Sequence, residues 1–380
     1  MQFKLNQADA EIAAIARQAA ADHLAPRALV TDSGVFPRES IAALGAAGLL
    51  GIKIDREFGG LGGSTLAYVA AIAELAGACA STTVTVAVTN MVADMLVRFG
   101  TEDQKRRHLV NLTSGRYLAG SFALSESGAG SDAGSLTTRA ERNGDDWLLN
   151  GSKLWITSGD VAGVILVMVK TDPTKGTRGI TAFLVEPTMP GFAVGRHEEK
   201  LGLRGSSTVS LSFQDVMLPD TARLGSLGQG FEVAMTALDG GRCGIGAQAL
   251  GMGYAALRET SSILAARAKV DKAQGTDQLA QFRLADMALR LDAAWLLVQK
   301  AAWLRDQGRK MTKEAAMAKV AATEAANFAC QLAMQLAGAQ AFDDSSVIAR
   351  NWRDVRVSRI YEGTSEIQRL VIARSLAMAV

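Results

Sequence analysis

One carboxylate near the C-terminus stands where it could work as a base. The segment Arg359-Ile360-Tyr361-Glu362-Gly363-Thr364-Ser365-Glu366-Ile367-Gln368-Arg369 sets Glu362 on a short turn immediately before a helix start. Ser365 followed by Gln368 reads as a capping box, and the positive N-terminal end of such a helix favours the ionised form of a nearby acid. A deprotonated glutamate on a rigid turn can take a proton. On spacing alone a solvated helix-entry glutamate fits the same residues, so the rest of the chain has to decide.

Two further stretches could meet a ligand. The apolar run Ser121-Phe122-Ala123-Leu124 leads into Ser125-Glu126-Ser127-Gly128-Ala129-Gly130-Ser131-Asp132-Ala133-Gly134. Its glycines are spaced GxGxxxG and the residues beyond are β-prone, so the dinucleotide-binding βαβ fingerprint fails on both counts. What remains is a bend whose amides and hydroxyls can approach a flat or phosphorylated ligand, or an ordinary β-turn. Asn150-Gly151 reads as a hairpin-type turn leading into Ser152-Lys153-Leu154-Trp155-Ile156-Thr157-Ser158-Gly159, where bulky and polar side chains alternate. Trp155 offers a flat face, either to a ligand or to a core. Asp239 and Arg242 stand one helical turn apart, a spacing that also makes a plain intrahelix ion pair.

The bulk properties narrow the partners. The chain has 380 residues, with 40 basic against 38 acidic side chains and a net charge of +2. That length predicts two or three domains, and the dispersed charge carries no footprint for nucleic acid or an anionic membrane. Cys79, Cys243 and Cys330 form no CxxC pair, and His23, His108 and His197 have no ligand-like spacing, so neither a disulfide framework nor a metal site is expected. The first residues have amphipathic helical spacing instead of a targeting pattern, and no uncharged apolar run of membrane-spanning length is evident. These features predict a soluble protein of a reducing compartment, assigned to the cytoplasm.

The elements that must position these residues fall into three regions. Residues 1–116 are Ala-rich with apolar residues at three- and four-residue spacing, broken at Pro26, Pro37 and the glycine loop at 59–63, and predict a helical domain. Residues 117–225 hold β-prone runs such as 147–149, 164–169 and 181–185 between turn signals, and predict a compact β domain. Residues 226–380 return to helix formers at 231–269, 277–307, 312–337 and after 365, and predict an antiparallel bundle. The order argues against an alternating α/β sheet.

Taken together, FALSESGAGSD, LNGSKLWITSG, KLGLRGSST, LDGGRCGIGAQALG, FRLADM, KEAAMAK and IYEGTSEIQRLVIAR, in that order from about Glu57 to Arg374, give the chain a specific resemblance to the acyl-CoA dehydrogenases. The resemblance implies a mostly α fold with a central β-barrel-like domain and a C-terminal four-helix bundle. It implies FAD-dependent desaturation of acyl-CoA thioesters between the α and β carbons, a homotetramer, and electron-transfer flavoprotein as acceptor. Carried over by position, Phe122, Leu124, Ser125, Trp155 and Thr157 would line the isoalloxazine. Thr364 and Glu366 would reach the phosphate-bearing part of FAD. Arg267, Gln278, Gln335 and Gly338 would complete the cofactor contacts, Arg267 across a subunit interface. Ser131, Asp239, Arg242 and Gly363 would lie along the acyl-CoA, and Glu362 would be the base. A donor at the thioester carbonyl, here the Glu362 backbone N–H and a ribityl hydroxyl, typically contributes roughly 3–4 kcal/mol to the transition state. Water exclusion would raise the Glu362 pKa toward neutrality. Relatives that carry their base one residue before the arginine of the LDxxR-type motif have no counterpart here, where that residue is Gly241.

Several positions depart from the family pattern. The RxxFG loop reads Arg267-Ala268-Lys269-Val270-Asp271, and the QxxGGxG turn reads Gln335-Leu336-Ala337-Gly338-Ala339-Gln340-Ala341. The two alanines predict crowding at the pyrophosphate and looser FAD binding. Ser127 stands where the family carries proline. The helix before Asn90, read as 80–89, carries no cation, and Thr83 takes the position where dicarboxylyl-CoA relatives have arginine, which predicts a neutral acyl chain. Gly241 and the motif wording lean toward a short or branched short chain. A same-fold flavoprotein of other chemistry, such as an acyl-CoA desulfinase or flavin monooxygenase, and an acyl-thioester-binding paralogue without turnover are the competing readings. Retained Glu362 favours dehydrogenation.

Overall fold

The computed structural model describes residues 4–272 and 277–377. The N-terminal region holds α1 (Gln7–Ala19), α2 (Ala28–Asp32), α3 (Arg38–Ala46), α4 (Thr65–Ala78), α5 (Ala80–Phe99) and α6 (Glu102–Thr113). Side-chain caps set their starts: Asn6 accepts from the Asp9 amide, Ser64 caps α4, and Thr101 and Gln104 form a capping box at α6. The carboxylate of Asp9 also accepts from Ser64 N and Oγ at 3.1 and 2.7 Å, tying α1 to the α4 entry. Helix α5 is long and apolar enough to cross a membrane, yet 94% of its apolar window is buried inside the fold.

Eight strands follow: β1 (Ala119–Ala123), β2 (Arg139–Asn143), β3 (Asp146–Thr157), β4 (Ala162–Lys170), β5 (Ile180–Val185), β6 (Phe192–His197), β7 (Thr208–Leu218) and β8 (Arg223–Leu224). They form one sheet in the order β6-β7-β3-β2-β4-β5-β8, with β1 parallel to β4. The β2–β3 hairpin closes on Asn143 opposite Asp146, with Gly144 at φ 63°. Asn150-Gly151 is therefore not the hairpin turn expected from its sequence. It lies inside β3, where the register against β7 shifts between Leu149 and Gly151, and Gly151 takes φ 139°.

The C-terminal region contains α7 (Gly230–Val270), α8 (Gln278–Asp306), α9 (Thr312–Ala337), α10 (Val347–Val355) and α11 (Ser365–Ala377). The expected long helices match these spans within a residue or so, whereas α10 was not anticipated. Helix α9 buries a run of small residues, Ala315, Ala318, Ala322, Ala326, Ala329 and Ala333, so α7 and α8 can approach it closely. One apolar core is continuous from Ile72 and Val86 through Met252 to Leu291 and Ala326, joining the N-terminal helices to the bundle. The Asp306 carboxylate at the end of α8 accepts from the Thr65 and Leu66 amides at 2.7 and 3.1 Å, fixing the α4 entry onto that bundle.

Candidate active site

The chain leaves α10 through a short turn at Arg356–Arg359 and reverses into α11 over two left-handed residues, Glu362 at φ 51° and Gly363 at φ 93°. Left-handed backbone is unusual for a glutamate and persists only where its surroundings hold it. Here Lys319 Nζ donates to the Gly363 carbonyl at 2.5 Å, and Gln368 Nε2 donates to the Glu362 and Gly363 carbonyls at 3.4 and 3.2 Å. The Tyr361 hydroxyl donates to Gln248 Oε1 at 2.5 Å. The cap of α11 is Thr364, whose hydroxyl accepts from the Ile367 amide at 3.2 Å. This corrects the capping box assigned to Ser365 and Gln368: the helix starts one residue earlier than that box requires, and Gln368 serves the turn instead.

The Glu362 carboxylate points at α7. Its Oε2 is buried with no hydrogen-bond partner. A Cβ built on Gly241 would stand 2.0 Å from that oxygen and 2.7 Å from Met91 Cε, so any side chain at 241 would occupy the carboxylate's place. Burial raises the Glu362 carboxyl from 4.5 to about 7, and Lys319 and Arg242 pull in the opposite direction. Such a group is a base near neutral pH. Arg242 Nη1 donates to Asp239 at 2.6 Å, Asp239 also accepts from Thr312 Oγ1 at 2.6 Å, and Arg242 Nε is buried without a partner.

A second surface forms where β1 ends against the distal half of β3. Leu154 N donates to the Ser125 carbonyl at 2.9 Å, and Ser121 Oγ donates to the Thr157 carbonyl, so Phe122, Leu124 and Ser125 are brought beside Trp155 and Thr157. Behind them the fully buried Lys153 donates to the Leu124 carbonyl at 3.1 Å and pairs with Glu126 at 2.8 Å. Glu126 also accepts from Thr137 N and Oγ1, both at 2.7 Å, and from Thr138 N at 3.0 Å. Burial alone would raise the Glu126 carboxyl, but these partners outweigh it and hold it at about 2. Trp155, at φ 60°, is 61% exposed and so is not a core residue.

Helix α5 links the two surfaces. Thr85 Oγ1 lies 3.2 Å from Ser158 Oγ, Met91 borders Gly241 and Glu362, and at 1.5 Å per residue the two positions are about 9 Å apart along the helix. Ser131 sits exposed on the loop that crosses from β1 to β2, where Cβ atoms built on Gly128 and Gly130 would meet nothing. Thr364 is half-buried and Glu366 exposed at the α11 entry, beside the buried, unpartnered Ser365 Oγ and Gln368 Oε1. An exposed indole face, an open glycine loop and unpartnered buried polar atoms fit a large flat cofactor with polar appendages.

The remaining residues lie elsewhere. Arg267 is on the same helix as Gly241 but roughly 39 Å along it. Its guanidinium caps the end of α9, donating to the Leu336 carbonyl at 2.8 Å, to the Ala337 carbonyl, and to Gln340 Oε1 at 2.9 Å. Gln335 accepts from Arg283 at 2.8 Å, Gln278 is exposed at the start of α8, and Gly338 takes φ 62°. One chain does not bring these four to Glu362. Ala341 packs into the bundle core and Ala339 is exposed. Sequence reasoning also gave no role to Lys319 and Lys153. Their signal was a cation within a run of small or alternating apolar residues, at a spacing that faces inward.

The fold and the paired surfaces are those of a flavoprotein oxidoreductase with a buried carboxylate between them. Residues 6–116, 121–216 and 228–377 match the N-terminal, middle and C-terminal domain families of acyl-CoA dehydrogenases. The chain is 42% identical over 370 residues to the short-chain specific acyl-CoA dehydrogenase of Homo sapiens mitochondria, covering 97% of this chain and 87% of that protein. Butyryl-CoA dehydrogenase from Megasphaera elsdenii superposes with a TM-score of 0.96 at 38% identity, covering 99% of this chain and 100% of that one. A chain from a structural study of the electron transferring flavoprotein of Acidaminococcus fermentans superposes at 0.96 with 36% identity, covering 99% of each. The chain belongs to the acyl-CoA dehydrogenase family, and its cofactor is FAD.

Proposed function

We propose that this protein desaturates short, neutral acyl-CoA thioesters, with Glu362 removing the α proton. The observation that carries this reading is the Glu362 carboxylate, buried, without a partner at Oε2 and poised at about 7. The names of the relatives support the short chain. Neutrality is supported by Thr83, fully buried with its hydroxyl donated to the Cys79 carbonyl at 2.8 Å, and by the nearby cations. Lys53, Arg98 and Arg305 all converge on the Asp94 carboxylate, Lys53 at 3.2 Å and Arg98 at 3.4 Å, which leaves them engaged.

FAD, when bound, supplies the hydride acceptor. Phe122, Leu124, Ser125, Trp155 and Thr157 would hold its flat ring, and Thr364 and Glu366 its phosphate-bearing part. Arg242 with Asp239, Ser131 and Gly363 would hold the acyl-CoA. The chain's own work is to exclude water around Glu362, to hold the carboxylate against α7 beside the reacting carbon, and to take the α proton on that carboxylate. Anaerobic titration checks this: butyryl-CoA bleaches the bound flavin, octanoyl-CoA does so more weakly, and succinyl-CoA fails. Equal bleaching by succinyl-CoA removes the neutral-chain reading, and a folded protein that takes up no flavin removes the whole of it.

The chain further acts as a homo-oligomer, a tetramer, in which Arg267, Gln278, Gln335 and Gly338 complete the cofactor site of a neighbouring copy. Two observations support this. Those residues stand far from Glu362 within one chain, and α8 exposes a stripe at Leu279, Phe282, Leu289 and Leu296, each 55% to 69% accessible, with heptad-like spacing. Phe282→Glu is expected to disperse the assembly and to release FAD. Monomers that keep full FAD would refute it. We assign the electron acceptor as an electron transferring flavoprotein, and the compartment as the reducing cytoplasm, in keeping with three buried free thiols. The chain divides into domains at 116/117 and 225/226.

A further inference from the structure

The geometry points to Lys319 as the positioning residue of the base: from α9 its ammonium pins the Gly363 carbonyl and supplies the positive charge against which Glu362 ionises. The inference rests on Glu362 being the base. Lys319 is 1% exposed, a costly place for an ammonium unless it is tied to something. Its one hydrogen bond to protein among the described residues is to Gly363, at 2.5 Å, the peptide that follows the strained glutamate. A neutral residue could pack this Ala-rich helix with no desolvation at all, so packing does not account for a lysine here.

The charge environment of Glu362 shows why the ammonium matters. Lys319 faces it from α9, Arg242 from α7 and Tyr68 from α4, while Tyr361 and Glu366 flank it on its own segment and Met91 closes the α5 side without charge. Arg242 is already bonded to Asp239 at 2.6 Å, whereas among the described residues Lys319 has no carboxylate within ion-pairing distance. The ammonium is therefore the cation with its charge uncommitted, and its field favours the carboxylate form of Glu362 over the acid. Burial lowers the Lys319 ammonium to about 8, so it remains charged where the base must be ionised.

The test is the pH profile of single-turnover flavin reduction by butyryl-CoA in the reconstituted holoenzyme, for the native protein, Lys319→Met, and Lys319→Gln, which deletes the charge while keeping a donor. In the native protein reduction is expected to rise through a limb near pH 7. Loss of a cation close to a carboxylate moves such a limb upward by about one unit or more, so both variants are expected to be about fivefold slow or more at pH 7 and to recover at pH 9, with FAD content retained. A uniform loss at every pH with the limb unmoved would overturn the proposal and leave Lys319 a packing residue. If Lys319→Met does not fold, the limb of Lys319→Gln decides alone. A native profile with no limb, or a limb that survives in Glu362→Gln, would instead sink the assignment of Glu362 itself.

Discussion

Glu362→Gln is expected to leave FAD bound and the fold intact while slowing flavin bleaching by butyryl-CoA about 10^2- to 10^4-fold, the range a positioned general base contributes. The amide keeps the shape of the side chain but cannot accept the α proton. Stopped-flow bleaching under argon measures the loss, and undiminished single-turnover bleaching would remove Glu362 from the role. The stability of the same variant carries a second check. A carboxyl whose folded pKa is raised from 4.5 to about 7 costs the fold progressively as pH climbs through that window, and the cost is complete above about 7. Glutamine removes the ionisable group, so at pH 8 the variant should melt no lower than the native protein, while at pH 4 the two should be close. A mutation that kills activity without a cost in melting temperature is what a strained, desolvated base predicts.

Lys153→Met is expected to be the most damaging single change in the sheet. Lys153 is fully buried and pairs at 2.8 Å with Glu126, itself 8% exposed. Removing one member of a buried pair strands the other charge, at about 3 kcal/mol or more, which for a chain of this size lowers the melting temperature by roughly 4 °C or more. The Thr137 and Thr138 donors stay with Glu126 and keep the loss near the lower end. Because Lys153 also holds the Leu124 carbonyl, the platform beside Trp155 loosens and FAD retention falls with stability. Glu126 has a depressed carboxyl, so the pair stabilises the native fold above 4.5 and loses that effect as pH falls toward about 2. The deficit of the variant should therefore be largest at neutral pH and shrink on acidification. Differential scanning measurements at pH 7.5 and pH 3 check it, and equal deficits at both would show that the pair is not the cause.

The expectations that failed share a cause. Asn150-Gly151 carries the local signature of a hairpin turn, but β3 continues through it because β7 pairs on both sides and absorbs the extra residue as a register shift. Ser365 and Gln368 have capping-box spacing, but Thr364 is already in place to receive the Ile367 amide, and Gln368 is drawn to the turn carbonyls. In both cases a pairing partner distant in sequence, or one residue off, outcompeted the local preference. Trp155 went the other way. Its usual fate is burial, yet a left-handed backbone at φ 60° turns the indole outward.

By itself the sequence determined the helical, sheet and helical order, the long bundle helices to within a residue or so, and the turn that carries Glu362. Those features follow from propensity, periodicity and short-range spacing, which act within a few residues and need no partner. Only the tertiary structure decided that Glu362 is desolvated, that Gly241 leaves room for its carboxylate, that Lys319 from a helix more than forty positions away pins the turn, and that Arg267 is held at the end of α9. Each depends on which helix face meets which. That is settled by how the whole core packs, because an uncommitted charge or a missing methyl has no meaning until its neighbours are in place.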